Sequence, residues 1–241
     1  MPSTPLESIG AARVESETAA VEHLNAWIAS SNGGAGPRSV LDAGCGPQCV
    51  LEYGADAVVT GLDVSHAILE RNTRLDHAIV ADLAGAPLED ERYDLIVCWD
   101  VLEHLDNARS ALETMSRALA PGGALVLKAP SLNSPKGIVT KLTPYRFHVW
   151  VYRRFDVAGD AMPFPTRFDR SMSPATLGRW ARSNRMTVQW AASWEALLQK
   201  RLRSRVHLTG RAWRIAQRLV RAVSLGTIDG QATDFVLVLQ K

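Results

Sequence analysis

The chain has 241 residues, of which 46% are hydrophobic and 22% charged, and its formal net charge is +2. These values predict an ordinary globular protein with one domain and an insertion, or two small domains at most. They exclude a membrane-spanning protein, because no apolar run approaches the ~20 residues that a span needs. Glu7, Glu15 and Glu17 stand where a signal peptide would carry its apolar core. We therefore expect a cytoplasmic protein.

The first predicted element is an amphipathic helix over residues 15–30, after a stretch, 1–14, that we expect to be frayed. A run rich in serine and glycine follows at 30–37 and predicts a flexible break. Residues 1–36 are therefore interpreted as an N-terminal helical segment and linker, and residues 37–241 as the main domain.

Apolar strands and helices alternate through the main domain. Strands are predicted over 39–43, 57–62, 78–81, 93–99, 124–128, 186–192 and 233–240, and helices over 48–53, 65–72, 107–119 and 174–183. Near-continuous apolar strands in this order favour a mostly parallel sheet with helices on both faces. About 131–172 the pattern breaks, and the gap far exceeds the ~2–6 residues of a usual connection. This segment is predicted to be an inserted cap.

Two strand ends carry a recognisable pattern. The first strand ends in a turn that contains Gly44 and Gly46, and the second ends in Asp63, 17 residues after Gly46. Glycine has no Cβ, so the backbone can turn tightly and approach a ligand. An acid at the next strand end can accept hydrogen bonds from both hydroxyls of a ribose. A dinucleotide motif would need a third glycine where Cys49 stands, so a nucleoside with a small zwitterionic tail fits better than NAD.

This pattern resembles the cofactor-binding motif of class I S-adenosylmethionine (SAM)-dependent methyltransferases. Residues 79–83, 93–105 and 119–127 resemble further motifs of that family, in the expected order. The resemblance implies an α/β fold with a Rossmann-like, doubly wound, mostly parallel seven-stranded sheet and an inserted cap. It also implies SAM as cofactor and S-adenosylhomocysteine as product.

The resemblance further implies which residues contact the cofactor. Asp63 is expected to hold the ribose and Asp82 the adenine amino group, with helix capping and loop capping as the respective alternatives. Asp42 is expected near the methionine ammonium, directly or through water, and Asp100 in the same pocket. The complete predicted set is Asp42, Gly44, Cys45, Gly46, Asp63, Val64, Asp82, Leu83 and Asp100.

Methyl transfer to a hydroxyl also needs a group that removes the proton. His104, just past the fourth predicted strand, and His148, within the cap, are the candidate bases. Because the resemblance places a histidine like His104 in enzymes with different acceptors, a cofactor-shaping role is its alternative. The alternative for His148 is a structural role in an aromatic cluster. The acceptor is predicted to contact Tyr145, Arg146, Trp150 and Arg153.

The cysteines do not predict a disulfide or a metal site. Cys45, Cys49 and Cys98 are odd in number, and no second ligand pair follows. Reduced thiols are expected. No metal is predicted, and magnesium is compatible with the chemistry but not indicated.

A basic stretch lies near the C-terminus. From Ala196 to Ile228 there is no acidic residue, and eight residues are Lys or Arg. Arginines at 211, 214, 218 and 221 form one helical stripe opposite apolar residues, which is typical of a basic amphipathic helix. A solvated face is the simplest interpretation. Contact of residues 200–221 with an anionic membrane or an acidic substrate, or with a second copy in a homodimer, is the alternative. A nucleic acid is disfavoured because no binding motif for it accompanies the stripe.

The leading hypothesis is a SAM-dependent methyltransferase acting on a hydroxyl of a small molecule. A sugar or glycan is marginally preferred, because aromatic faces and arginines suit sugars. The first alternative is a lipid-linked quinol or phenolic metabolite at a membrane surface. The second is a non-catalytic, methyltransferase-like binding subunit, which the intact Gly44, Gly46, Asp63 and Asp82 argue against.

Overall fold

The computed structural model describes residues 6–131, 134, 172–205, 207–225 and 227–241. In this part of the chain, eight strands form one sheet. They are β1 (Ala12–Arg13), β2 (Ser39–Ala43), β3 (Val58–Asp63), β4 (His77–Val80), β5 (Tyr93–Trp99), β6 (Leu119–Pro130), β7 (Thr187–Trp194) and β8 (Asp234–Gln240). Their order is β1-β7-β8-β6-β5-β2-β3-β4, and β8 alone runs antiparallel to its neighbours.

Helices lie between the strands. They are α1 (Glu17–Gly34), α2 (His66–Leu69), α3 (Ala108–Ala118), α4 (Pro174–Ser183), α5 (Leu197–Arg205) and α6 (Gly210–Val223). Short 3-10 turns occupy Glu7–Ile9, Leu83–Gly85 and Leu102–His104. Ser16 and Ser173 cap α1 and α4 by accepting from the backbone NH three residues on, and Pro174 stands in the first turn of α4.

The sheet is covered on both faces, as a buried parallel sheet must be. Along β5, Leu95 and Val97 point to the face that packs with α1 residues such as Leu24. Ile96 and Cys98 point to the opposite face, which packs with α3 and α4. The predicted doubly wound architecture is therefore confirmed. β5 and α4 have the predicted bounds.

The N-terminal stretch is more ordered than predicted. Residues 7–9 form a turn and β1 pairs with the outer edge of β7, which gives eight strands where seven were expected. Leu6 is buried, and a Cβ on Gly178 would lie 2.9 Å from Ile9 Cγ2. The prediction of a frayed 1–14 was wrong for this part, because β7 offers an unpaired edge that a local sequence pattern does not reveal.

The predicted helix over 48–53 is also wrong, because this segment is an irregular stretch with bends and no helical turn. Cys49, Leu51 and Tyr53 are buried while Val50 and Glu52 are exposed, which is a period of two residues. The predicted helix over 65–72 shortens to α2. The predicted cap lies almost wholly outside the described residues, and the division of the chain at residue 36 stays a prediction.

Candidate functional site

A crevice is expected where the strand order reverses in a sheet of this kind. Here the chain runs from β2 outward through β3 and β4, and then returns to β5 and continues through β6 on the other side. The carboxyl ends of β2 and β5 are therefore neighbours. The structure brings the nine predicted cofactor residues to the ends of β2, β3, β4 and β5, at one edge of the sheet.

Gly44 and Gly46 form the turn after β2. Gly44 has φ +75°, and its NH donates to Leu62 O at 2.6 Å. A Cβ on Gly44 would lie 2.3 Å from Val101 Cγ2, so only glycine fits between β2 and the chain after β5. Gly46 has φ +59°, and a Cβ there would meet nothing within 4 Å. The turn is thus tightly packed at Gly44 and open at Gly46.

Asp63 connects this turn to the end of β3. Its Oδ2 accepts from the Gly46 NH at 3.4 Å and its Oδ1 accepts from the Ser65 NH at 2.9 Å. Each carboxylate oxygen accepts two hydrogen bonds, so both keep capacity for a further donor. The next residue, Val64, exposes 68% of its surface beside this strand end.

Asp82 and Leu83 follow β4. The exposed Asp82 accepts from the Ala84 NH at 2.9 Å and begins the 3-10 turn, whereas Leu83 is buried in the core. The loop-capping role of Asp82 is therefore present in the structure, and its contact with adenine stays a prediction.

Asp42 is a buried acid at the end of β2. It is 4% exposed and accepts a hydrogen bond from the Tyr53 hydroxyl at 2.8 Å. Burial raises the pKa of Asp42, and the bond from Tyr53 partly opposes that rise. Its predicted contact with an ammonium group stays a prediction.

The cysteines are buried free thiols, as predicted. Burial first, and then the charge of Asp42, raise the pKa of Cys45 to about 12, so it carries no reactive thiolate at neutral pH. Its Sγ would lie 2.8 Å from a Cβ on Gly61. Cys45 therefore packs β2 closely against β3.

Two residues that the sequence did not reveal hold the loop after β2. Asn72 is buried, and its Nδ2 donates to Gly46 O at 3.2 Å. Arg74 donates to Cys49 O and Leu51 O at 3.3 and 3.1 Å. Both lie in a polar stretch after α2 that matches no motif. Their contacts hold the segment over 48–53 and, with it, the glycine turn.

A buried lysine organises the other side of the crevice. Lys128 near the end of β6 is 4% exposed, and its Nζ lies 2.6 Å from Asp100 Oδ1, 3.5 Å from Asp234 Oδ1 and 3.8 Å from Glu17 Oε1. We call these four residues the Lys128 cluster. Burial alone would lower the pKa of Lys128, but the three carboxylates outweigh it and raise the pKa above its usual value. The lysine therefore stays charged.

Asp100 is part of this cluster and of the predicted cofactor set. It has φ +54°, a conformation that aspartate tolerates better than most residues. Its backbone NH donates to Lys128 O at 3.1 Å, while its carboxylate contacts Lys128 Nζ. Asp100 is thus held on both sides, with its carboxylate 41% exposed toward the edge of the sheet.

Glu103 is a buried acid that sequence reasoning missed. Its residue is 4% exposed, and its Oε2 has no hydrogen-bond partner among the described residues. Burial first, and then the charge of Asp100, raise the pKa of Glu103 to about 8, so it is mainly protonated at neutral pH. The candidate base His104 lies beside it, with Nε2 4.0 Å from Glu103 Oε1 and a side chain 34% exposed.

The remaining predicted residues, Tyr145, Arg146, His148, Trp150 and Arg153, lie outside the described residues. Within the described part, no group of three or more His, Cys, Asp or Glu side chains is placed to hold a metal ion. The helices described there include none that is long and apolar enough to cross a bilayer.

The residues present fit the nucleoside that the motif implies. The backbone at Gly46 is open to a close approach, Asp63 has unused acceptor capacity, and the exposed Val64 offers an apolar contact beside it. The order of the strands, the glycine turn and the acid after β3 together define the class: this is the fold of a class I SAM-dependent methyltransferase.

Comparison with known proteins agrees with that class. A family model described as a methyltransferase domain matches residues 20–200. The chain therefore belongs to this methyltransferase family, and SAM is its cofactor. An N-methyltransferase, NodS from Bradyrhizobium japonicum WM9, solved with S-adenosylhomocysteine, superposes with a TM-score of 0.52 at 18% identity, over 93% of this chain and 87% of that one.

Two relatives are known by their reactions. A ubiquinone biosynthesis O-methyltransferase of Pseudomonas fluorescens is 28% identical over 174 residues, which is 68% of this chain and 70% of the relative. A malonyl-[acyl-carrier protein] O-methyltransferase of Pseudescherichia vulneris is 37% identical over 94 residues. That match spans 37% of this chain and only 38% of the relative's length.

Proposed function

We propose that this protein transfers the methyl group of SAM to an oxygen of a small-molecule acceptor. The observation that carries the proposal is the junction of the two strand ends, where Asp63 accepts from the Gly46 NH and keeps capacity for ribose hydroxyls. Both relatives described above are named as O-methyltransferases, which supports oxygen as the accepting atom.

The bound cofactor would supply an electrophilic methyl group. Residues of the chain would orient the cofactor and remove the proton of the acceptor. Asp63 would orient the nucleoside, and the open backbone at Gly46 would let it approach. A base would take the acceptor's proton as the oxygen attacks. His104 is partly exposed at the end of β5 and is one candidate; His148, in the cap segment, is the other.

A lipid-linked quinol or another phenol is the acceptor class that we favour. The relative that matches 68% of this chain is named for ubiquinone biosynthesis. The sugar acceptor preferred from the sequence draws its support from aromatic and arginine residues of the cap alone, and neither relative is named for a sugar. A phenolic hydroxyl also loses its proton more readily than a sugar hydroxyl does, which reduces the demand on the base.

The test of cofactor binding is calorimetry with SAM and the variant Asp63→Ala. Loss of an acceptor for two ribose hydroxyls, together with the bonds to Gly46 and Ser65, should weaken binding about 100-fold. Asp90→Ala is the control, because that exposed acid lies away from the strand ends and, among the described residues, its ion pair is with the surface residue Arg117. Equal SAM affinity in the two variants would remove Asp63 from the site.

The test of the acceptor follows the methyl label of SAM into phenolic, quinol and sugar compounds. Transfer to phenols or quinols but not to sugars would support the proposal, and transfer to sugars alone would reverse the preference. His104→Ala and His148→Ala, assayed with the accepted compound, should separate the two candidate bases. Replacement of the histidine that acts as the base should lower turnover at least tenfold, while the affinity for SAM is retained.

A further inference from the structure

The insertion between β7 and β8 contains a helix, α6, that turns its polar side inward and its apolar side outward. Trp194 at the end of β7 pairs with Asp234 at the start of β8, so a short hairpin would have joined them. Instead, the chain inserts α5 and α6 there. Because Asp234 also pairs with Pro130 at the end of β6, the insertion leaves the sheet from the same edge that carries the cofactor residues.

The inner face of α6 is polar. Trp213, Gln217 and Arg221 recur at intervals of four residues and contact, respectively, α5, the segment before β8 and the N-terminal turn. Arg203 lies 5.3 Å from the Trp213 ring, Gln231 donates to Gln217 at 2.8 Å, and Arg221 pairs with Glu7 at 3.0 Å. Yet Trp213 Nε1, Gln217 Nε2 and Arg221 Nε are buried without a hydrogen-bond partner among the described residues.

The outer face of α6 is apolar. Ile215, Leu219 and Val223 expose 58, 61 and 86% of their surface, and Leu225 just beyond the helix exposes 76%. None of the described residues of α6 is buried. In α3 the arrangement is the usual one, with Leu112 and Met115 buried against the sheet. An amphipathic helix that exposes its apolar side to water is typical of an interaction surface.

The charge around this face indicates what the partner is. Basic side chains toward the body are already paired: Arg203 with Glu195 at 2.8 Å, and Arg221 with Glu7. Arg211, Arg214 and Arg218 flank the apolar face, are exposed, and form no ion pair with a described residue. Three free cations beside an apolar stripe match anionic headgroups above acyl chains.

We propose that the outer face of α6 binds an anionic lipid surface. The arginines would contact the headgroups, and Ile215, Leu219 and Val223 would enter the boundary of the acyl chains. The insertion would then hold the cofactor edge of the sheet near the lipid. This adds to the lipid-linked acceptor proposed above, but its test needs no methyl transfer.

The test is flotation of the full-length protein with vesicles of phosphatidylglycerol and phosphatidylcholine, against vesicles of phosphatidylcholine alone. Binding to the anionic vesicles is expected, and it should weaken with salt. Replacing Arg211, Arg214 and Arg218 by Gln together should weaken it about 100-fold, since each basic residue near such a surface contributes about fivefold. The charge-matched control is Arg92→Gln, Arg109→Gln and Arg179→Gln, three exposed arginines outside the insertion.

The apolar contribution is tested by Ile215→Ser with Leu219→Ser, against Val50→Ser with Val58→Ser as exposed apolar controls. Loss of binding in the first pair and not in the second supports insertion into the lipid. Retained binding in the first pair would overturn it, leaving surface adsorption only. Absence of binding to anionic vesicles, or a dimer in light scattering that Leu219→Ser dissociates, would also overturn the proposal. SAM calorimetry on the same samples shows whether the cofactor site is intact, so failure here is distinguishable from failure of the proposed function.

Discussion

The two sides of the crevice hold their shape by different means. Around β2 and β3 the structure depends on backbone geometry: Gly44 packs against Val101, and the Gly46 NH reaches Asp63. Around β5, β6 and β8 it depends on buried charge, with Lys128 among three carboxylates. On the first side the Gly46 NH and Asp63 are 17 positions apart in sequence, whereas on the second side Glu17 and Asp234 are each more than a hundred positions from Lys128.

This difference has a physical consequence. A glycine turn fails when a side chain is added, because there is no room for a Cβ and the left-handed backbone is strained. A buried ion cluster fails when one charge is removed, because the remaining charges are left without compensation in a medium of low polarity. The two sides should therefore respond to different substitutions.

Lys128→Met should have the largest effect. It leaves Asp234, which is buried, and Asp100 without their cation, and breaking a buried pair in this way costs about 3–5 kcal/mol. The measurement is the free energy of unfolding in urea. Lys200→Met is the control, because that side chain is half-buried and, among the described residues, its Nζ donates to the backbone O of Glu15 and forms no ion pair. A loss below about 1 kcal/mol would show that the cluster does not hold this side together.

Gly44→Ala should come next. The new Cβ would lie 2.3 Å from Val101 Cγ2, and overpacking of this kind costs about 1–3 kcal/mol, with about 1 kcal/mol more for alanine at φ +75°. SAM affinity should fall with it. Gly54→Ala, also at positive φ but with open space around it, should show only the backbone cost. Adding Val101→Ala to Gly44→Ala should recover the packing part, and no recovery would reject the contact with Val101.

Much of the side around β2 and β3 could be predicted from the sequence. Little of the side that contains the Lys128 cluster could be. β5 was predicted with its observed bounds because its apolar run is bordered by clear breaks. The glycine turn and Asp63 form a local pattern. Glu17 and Lys128, in contrast, meet only because α1 crosses the sheet face and β6 pairs with β5. No periodicity in the sequence encodes that meeting.

The predictions that were wrong also concern features that depend on contacts between residues distant in sequence. Residues 48–53 were predicted as a helix, yet every second side chain is buried, because Arg74 from beyond α2 binds their carbonyls. The arginine stripe of α6 was predicted, but not that the apolar side of that helix faces outward. The orientation depends on the contacts of Trp213 with Arg203 of α5 and of Gln217 with Gln231, which are tertiary contacts.

Glu103 provides a pH-dependent test of the side of the crevice that contains the Lys128 cluster. Its pKa is raised to about 8 in the folded protein, above the ordinary 4.5, so the folded state keeps a proton that the unfolded state loses. The free energy of unfolding should therefore fall as the pH rises from about 4.5 to about 8, by at most ~1.4 kcal/mol per pH unit. Glu103→Gln cannot ionise and should remove this slope. Glu113→Gln, at an exposed acid of α3, should keep it. A slope unchanged in Glu103→Gln would show that another group titrates.

The smallest effect is expected from a substitution that weakens the glycine turn after β2. Asn72→Ala removes the bond from Nδ2 to Gly46 O, at a cost of about 1 kcal/mol, and should weaken SAM binding about fivefold because the turn is less firmly held. Asn184→Ala is the matched control: it removes a similar bond, from Nδ2 to Trp180 O at 2.9 Å, at the end of α4. Asn72→Ala also removes the bond that its Oδ1 accepts from the Arg74 NH, so it should lose somewhat more stability than the control, and it alone should lose SAM affinity. Equal affinity losses would mean that overall stability, and not the carbonyl of Gly46, sets how well the turn accepts the cofactor.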